Sequence, residues 1–408
     1  MQLKKYILSD VAKVEISGVD KKTTEGEAPV KLCNFTDVYY NWAITKDMEP
    51  NLMQASANTN EIRRFSLKKG QVAFTKDSET RDDIGVPTYI ADDFDNVVLG
   101  YHCALITPDE SKVLGAYLNA YMHTTTIQKY FENNASGSGQ RYTLSVETME
   151  KMPLFLPPLE EQRHIASIFS NLDQKIALNR QINQNLEALA KQLYDYWFVQ
   201  FDFPDENGKP YKSSGGKMVW NEQLKREIPK EWESTTLEDF CIMYQPQTLG
   251  LNELVEDGKY LVYGANGIIG KYNSYNHEQS EIAMACRGSS CGTLNRTMPQ
   301  SWITGNAMVV KMKDKQIHNE FLHHALSYVN VQGAITGSGQ PQLTRENLQK
   351  LGILKPAKNV IQLYSKRVEE IVNKLLQIEL ENSYLIKQRN ELLPLLMNGQ
   401  VNFDLSAC

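Results

Sequence analysis

The stretch "SGSGQ" at residues 136–140 returns as "TGSGQ" at 336–340, two hundred residues further along the chain. The first copy runs on into "RYTLSVETMEKMPLFLPP" and the second into "PQLTRENLQKLGILKP". With one residue dropped from the first, Leu144 aligns with Leu343, Glu147 with Glu346, Met149 with Leu348, Lys151 with Lys350 and Pro157 with Pro356. A long helical pattern follows each copy, and both close on a related phrase, "QFDF" at 200–203 and "QVNF" at 400–403. The openings also rhyme, "YILSDVAKV" against "TTLEDFCIM". This period far exceeds the 20–50 residues of solenoid repeats. The duplicated unit is a whole domain plus a long helix.

The helical patterns set the architecture. Pro157 and Pro158 stop what precedes the first helix, and Glu160 and Glu161 suit the positive end of its dipole, so a helix is predicted from Leu159 to Phe198. A heptad seam runs through Ile168, Leu172, Lys175, Asn179, Ile182, Leu186, Leu189, Leu193 and Tyr196. The second helix carries Val368, Ile371, Leu375, Ile378, Asn382, Leu385, Arg389, Leu392 and Leu396 at alternating spacings of three and four. Such repeats predict a two-stranded coiled coil. An antiparallel pair brings Asn179 and Asn382 close to one polar layer and relates the two domains by a pseudo-twofold axis, one at each end. The aromatic group Tyr194, Tyr196, Trp197, Phe198, Phe201 and Phe203 is read as packing at the helix end.

Both globular segments show short β-type runs between turn signals: "VKLCNF", "GQVAFTK" and "NVVLGYHCALITP" in the first, "KYLVYGANGIIGKYN", "SEIAMACRGSSCG" and "WITGNAMVVKMK" in the second. Gly100 and Gly305 introduce matching strands, and a helical stretch precedes each GSGQ loop. The fold class is α+β, with two duplicated mixed α/β domains separated by two long helices in an antiparallel coiled coil. The predicted boundaries are 1–157 and 204–356 for the domains, 158–203 and 357–408 for the helices. The scaffold repeats while the loops diverge, as suits a recognition module with two targets.

The chain of 408 residues is 41% hydrophobic and 23% charged, an ordinary globular balance. No apolar run approaches the roughly 20 residues of a membrane helix, and "MQLKKYILSD" is too short in apolar residues for a signal peptide. Cys33, Cys103, Cys241, Cys286, Cys291 and Cys408 form no zinc-type pair, and read as reduced thiols of a cytoplasmic protein. A stand-alone nucleic-acid binder is usually basic, so with a net charge of −6 any DNA binding would rely on local faces such as "EIRRFSLKKG" at 61–70 or on basic partner subunits.

Catalytic motifs are absent from the sequence. "GANGIIGKY" fails as a phosphate loop, because Gly264 and Gly270 stand one residue too far apart and Tyr272 replaces the Ser or Thr that holds magnesium. "SGSGQ" follows no buried strand, so it is no dinucleotide loop. No Asn-Pro-Pro-aromatic motif for adenine methylation occurs, and Asp109 and Asp205 lack the spaced partners of a nuclease. The histidines offer no metal set, and His323 and His324 read as helix-surface residues.

The combination "GSGQ…LPPLEEQRHIA…LYDYWFVQFDFP", with its second copy, resembles the specificity (S) subunit of type I restriction–modification systems across essentially the whole chain. The resemblance implies that the two domains are target-recognition domains, each reading half of a bipartite site on double-stranded DNA. The helices would be spacers that also dock two modification (methyltransferase) subunits. Methylation of adenine and ATP-driven cleavage would belong to the modification and restriction subunits. S-adenosylmethionine, ATP and magnesium would then serve those partners, with no cofactor, metal or catalytic residue in this chain. Two other readings stay open: a two-headed scaffold binding protein or carbohydrate, and a free-standing methyltransferase or nuclease.

The choice of base readers rests on chemistry, since Arg matches the guanine edge and Asn or Gln the adenine edge. Loop positions nominate Lys76, Thr80, Arg81, His102, Gln140 and Arg141 in the first domain. In the second they nominate Lys271, Arg287, Ser289, Asn306, Gln340 and Gln342.

Overall fold

A computed structural model describes residues 3–398 apart from 138, 338 and 340. Gln340 therefore lies outside the described residues, as does the "QVNF" phrase. The chain divides into two compact units, one of residues up to 179 with those from 381 onward, the other of residues 180–380.

In the first unit the apolar run Val72–Thr75 is buried at every position, so it occupies the middle of a sheet. The strand order is Ala12–Ile16, Cys103–Pro108, Val72–Thr75, Pro87–Ile90, Ala43–Ile44. All neighbours are antiparallel except the last pair. A second sheet sets Ala28–Cys33 between antiparallel Met53–Ala57 and parallel Val97–Leu99. Lys4–Ile7 pairs with Pro153–Leu156 and closes the domain.

The second unit repeats the plan. Cys241–Tyr244, Ala307–Met312 and Ile282–Ala285 run side by side and antiparallel, matching Ala12–Ile16, Cys103–Pro108 and Val72–Thr75. Tyr260–Gly264 lies between antiparallel Gly267–Tyr272 and parallel Trp302–Ile303, and Glu233–Thr236 pairs with Gly352–Lys355. Even single bonds recur: Gly100 N–H donates to the Cys33 carbonyl, and Thr304 N–H to that of Tyr263. After each GSGQ loop a hydroxyl caps a short helix. Ser145 Oγ accepts from Thr148 N–H at 3.1 Å, and Thr344 Oγ1 from Asn347 N–H at 3.3 Å.

The long helices span Leu159–Tyr194, continued by a π turn over Asp195–Val199, and Lys358–Met397. Each unit builds helix residues into its core. Ile165, Phe169, Leu396 and Met397 join the first, and Tyr194, Trp197, Phe198, Tyr364, Val368 and Val372 join the second. Phe201 and Phe203 are buried with them, so the aromatic group is helix-end packing except for Tyr196, which is exposed. The start of the first helix is pinned by fully buried Gln162. Its side chain accepts from Leu114 N–H and donates to the Lys112 and Pro157 carbonyls, all at 3.0 Å, leaving no orphaned polar atom.

Within each unit the helix segments run antiparallel. Asn179 Nδ2 donates to Glu381 Oε2 at 2.9 Å and Lys175 pairs with Glu381 at 3.3 Å in the first. Asn183 Nδ2 donates to Glu379 Oε1 at 2.7 Å in the second. Asn179 and Asn382 are both buried, at 1% and 5% exposure, but Asn179 takes Glu381 as its partner rather than Asn382.

The seam on the first helix also differs from the heptad expectation. Leu172, Leu186 and Leu193 sit half-buried, and the buried companion line lies one residue along from the heptad choice. Ile176, Asn183 and Ala190 are buried, whereas Lys175 is exposed, Ile182 is half-buried and Leu189 is 49% exposed. Residues three and four positions from the Leu172–Leu186 line are equally consistent with a heptad, so only the partner's side decides between them. On the second helix Leu375, Ile378 and Asn382 are buried and Leu385 and Leu392 half-buried.

Candidate nucleic-acid interface

The segments flanking each GSGQ sequence meet the ends of the central strands. In the first unit Ser136–Gly137 pairs with Tyr142–Thr143, which pairs with Asp77–Ser78 beyond the buried strand. Gly137 leaves no room for a side chain, since a Cβ there would lie 2.3 Å from the Arg141 carbonyl oxygen. Leu144 N–H donates to the Lys76 carbonyl at 2.8 Å, and Lys76 N–H to that of His102 at 2.9 Å. Three segments far apart in sequence thus meet at one strand end.

Their side chains form a connected chain around a carboxylate that the sequence reading missed. Asp77, 8% exposed, has Lys76 Nζ at 2.7 Å and His102 Nδ1 at 2.5 Å from Oδ2. Arg141 Nη2 lies 3.2 Å from His102 Nε2. Burial by itself would raise the Asp77 carboxyl, but hydrogen bonds from Lys76, Thr143 and His102 outweigh it and hold the group below the ordinary carboxylate range. Arg81 donates from Nη2 to the Ala135 carbonyl at 3.2 Å and stands over the Tyr142 ring at 5.4 Å. Thr80 and Gln140 are exposed at the margins of the same cluster. The signal for Asp77 was its place directly after "VAFTK", where a buried strand meets the loop.

The second unit forms the equivalent locus with other side chains. Leu343 N–H donates to the Cys286 carbonyl at 3.0 Å, Cys286 N–H to that of Asn306 at 3.3 Å, and Arg287 bridges Gln342. Cys286 therefore matches Lys76, Arg287 matches Asp77 and Asn306 matches His102. Arg287, Ser289, Asn306 and Gln342 are all exposed around this strand end. Lys271 is exposed on the other sheet, in Gly267–Tyr272, and does not join them.

His323 and His324 were expected on a helix surface, but His324 is buried at 8% exposure. With Glu320 they place three ligand-type atoms within 4.8 Å of one another. Both Glu320 oxygens, however, accept from Arg296, at 2.9 and 2.6 Å, and Arg296 also reaches Glu187 at 2.7 Å. Burial would raise the Glu320 carboxyl, yet the bidentate Arg296 guanidinium and the His323 and His324 rings, 3.3 and 3.1 Å away, hold it far below its ordinary value. The carboxylate is committed to a clamp between strand and helix. The five described cysteines are buried and unbridged, and burial raises each thiol.

Two scaffolds that share their central strand order, each presenting a different polar set at the same locus, define a duplicated recognition module. Both copies match the type I restriction modification DNA specificity domain, over residues 5–188 and 229–393, and the chain belongs to that family. Its role is that of a specificity subunit, which gives a type I restriction–modification system its choice of sequence. The chain is similar to the HindI specificity subunit of Haemophilus influenzae, 26% identical over 408 residues, covering 82% of this chain and 87% of that one. It is also similar to the MjaIX specificity subunit of Methanocaldococcus jannaschii, 23% identical over 399 residues and covering 92% and 86%. The fold is similar to the crystal structure of the S subunit of a type I system from M. genitalium, with a TM-score of 0.56 at 16% identity over 97% of this chain and 96% of that one.

Proposed function

We propose that residues 1–157 and 204–356 each read one half of a bipartite site on double-stranded DNA, while 158–203 and 357–408 separate the readers and dock two modification subunits. The observation that carries this reading is the repeated strand-end locus. The same backbone bonds hold Lys76, Asp77 and His102 in one unit and Cys286, Arg287 and Asn306 in the other. Identical frames with different donors and acceptors suit two readers of different base sequences.

The chain itself is non-catalytic on this reading. S-adenosylmethionine, ATP and magnesium serve the modification and restriction subunits, and the assembly works in the cytoplasm. None of the described helices is long and apolar enough to cross a membrane. A net charge of −6 fits a reader whose partners supply most of the phosphate neutralisation.

The test replaces residues 1–157 with the corresponding domain of another specificity subunit and sequences the methylated DNA of cells carrying the complete system. One half of the methylated motif is expected to change and the other to persist. Simultaneous change of both halves, or persistence of the old motif, would refute the assignment.

A further inference from the structure

We propose that Asp77 is a positioning residue for base recognition, which acts through His102 to aim Arg141 at a guanine in the half-site of the first unit. The inference rests on the reading of the two units as DNA readers and names how one of them works.

The direction of the hydrogen bonds carries the argument. An ionised carboxylate only accepts, so His102 donates to Asp77 from Nδ1–H across 2.5 Å. In the neutral ring Nε2 then presents a lone pair, and that atom faces Arg141 Nη2 at 3.2 Å. The guanidinium spends one of its donors on the imidazole. Its remaining N–H groups stay available on an exposed residue. A planar fork of this kind matches the O6 and N7 acceptors of guanine.

The chain is also held in place. Asp77 is buried and its oxygens serve Lys76, Thr143 and His102 together. His102 adopts φ +70°, a left-handed conformation that a non-glycine residue enters only where its surroundings hold it. Its backbone carbonyl accepts from Lys76 N–H, and its ring lies against Tyr101 with centroids 3.9 Å apart. The loop carrying Arg141 is tied down on its far side by the Leu144 bond to Lys76. Lys76, whose ammonium is bound to Asp77, is thereby part of the support rather than a base contact.

The second unit lacks this device, because Arg287 stands where Asp77 does and Asn306 where His102 does. Effects of breaking the chain are therefore confined to one half of the motif.

The experiment uses the complete complex carrying Arg141→Lys or Asp77→Asn. Methylation motifs are read by long-read sequencing, and affinities are measured on duplexes that vary one base pair at a time. Arg141→Lys is expected to lose discrimination at a single guanine of the first half-site by roughly 10- to 100-fold, the range of one bidentate contact. Asp77→Asn is expected to relax the same position, with the second half-site unchanged in both variants. A uniform loss of affinity with the motif intact would place Arg141 on a phosphate and overturn the proposal. So would an intact motif at full affinity, and Arg141→Lys, an exposed change, gives this answer even if Asp77→Asn fails to fold. The domain exchange separates the two levels. If exchanging 1–157 changes a half-site while Arg141→Lys does not, only the present inference falls. If the exchange changes nothing, the two-reader assignment falls.

Discussion

Asn183 on the first long helix donates from Nδ2 to Glu379 Oε1 on the second at 2.7 Å, and the same amide lies 3.4 Å from the Leu375 carbonyl. A buried amide thus ties the two helices together inside the second unit. Polar groups at such positions fix register at a cost in stability, because a hydrophobic side chain there would be more favourable. Asn183→Leu is expected to leave the unfolding free energy unchanged or raise it by up to about 1 kcal/mol, since Glu379 is exposed and can be solvated alone. Asn183→Asp places a second carboxylate beside Glu379 in a buried site and should cost about 3 kcal/mol. Urea unfolding of the two variants, followed by circular dichroism, checks the pair.

His123 predicts a pH dependence. Its ring is stacked on Trp42 with centroids 4.0 Å apart. Burial first, and the nearby Arg389 second, push its pKa down to about 3 from an ordinary 6.5. The unfolded chain therefore binds the proton before the folded one. The stability contributed by the neutral ring is complete above pH 6.5 and is lost as the pH falls toward 3. Between pH 7 and pH 5 the wild-type protein should lose about 2 kcal/mol through this group. His277 and His318, also lowered by burial, act in the same direction. Their share remains in His123→Gln, so the difference between the two pH slopes isolates His123. Equal slopes for wild type and variant would contradict the assignment.

Arg296 and Glu320 form a clamp whose halves should not be separable. Arg296→Met leaves the Glu320 carboxylate, 2% exposed, without its bidentate partner, at an expected cost of about 3–5 kcal/mol. Adding Glu320→Leu removes the stranded charge and should recover most of the loss. The Glu320 carboxyl is held below its ordinary value, so its contribution is full above about pH 4.5 and is lost as the pH falls from there toward the folded value. A double-mutant cycle by urea unfolding at pH 7 and pH 4 should therefore give a smaller coupling at pH 4.

The caps behind the two GSGQ loops should be interchangeable in energy. Ser145→Ala and Thr344→Ala each remove one acceptor from a helix start and should cost about 1 kcal/mol. On the proposed assignment of one half-site to each unit, losing a cap should weaken methylation where that unit's half-site is concerned. Methylation rates on substrates carrying each half-site singly mutated would show it.

Much of the architecture was legible because it depends on repetition. The echo of "SGSGQ" and "TGSGQ", with Leu144 aligned on Leu343, exposed the duplication, and the structure gives those two leucines the same hydrogen bond. The antiparallel sense was read from the placement of one domain at each end and from a polar layer of Asn179 and Asn382, in which Asn179 takes Glu381 instead. Arg141, His102, Arg287 and Asn306 were nominated from side-chain chemistry and loop position alone. Asp77 was not, because an acidic residue is no obvious reader, and its role appears only beside the groups it holds.

By itself, then, the sequence determined the duplicated plan, the long helices and the family, all of which rest on local patterns and their recurrence. Tertiary structure alone decided which line of the first helix is buried. Lys175, Ile182 and Leu189 satisfy the heptad as well as Ile176, Asn183 and Ala190, and the choice is made by residues such as Glu379 on a helix almost two hundred positions away. It alone brought Asp77, His102 and Arg141 together as well. Their contact depends on the backbone pairing of three separate segments, and no short-range periodicity encodes which strand end a distant loop will meet.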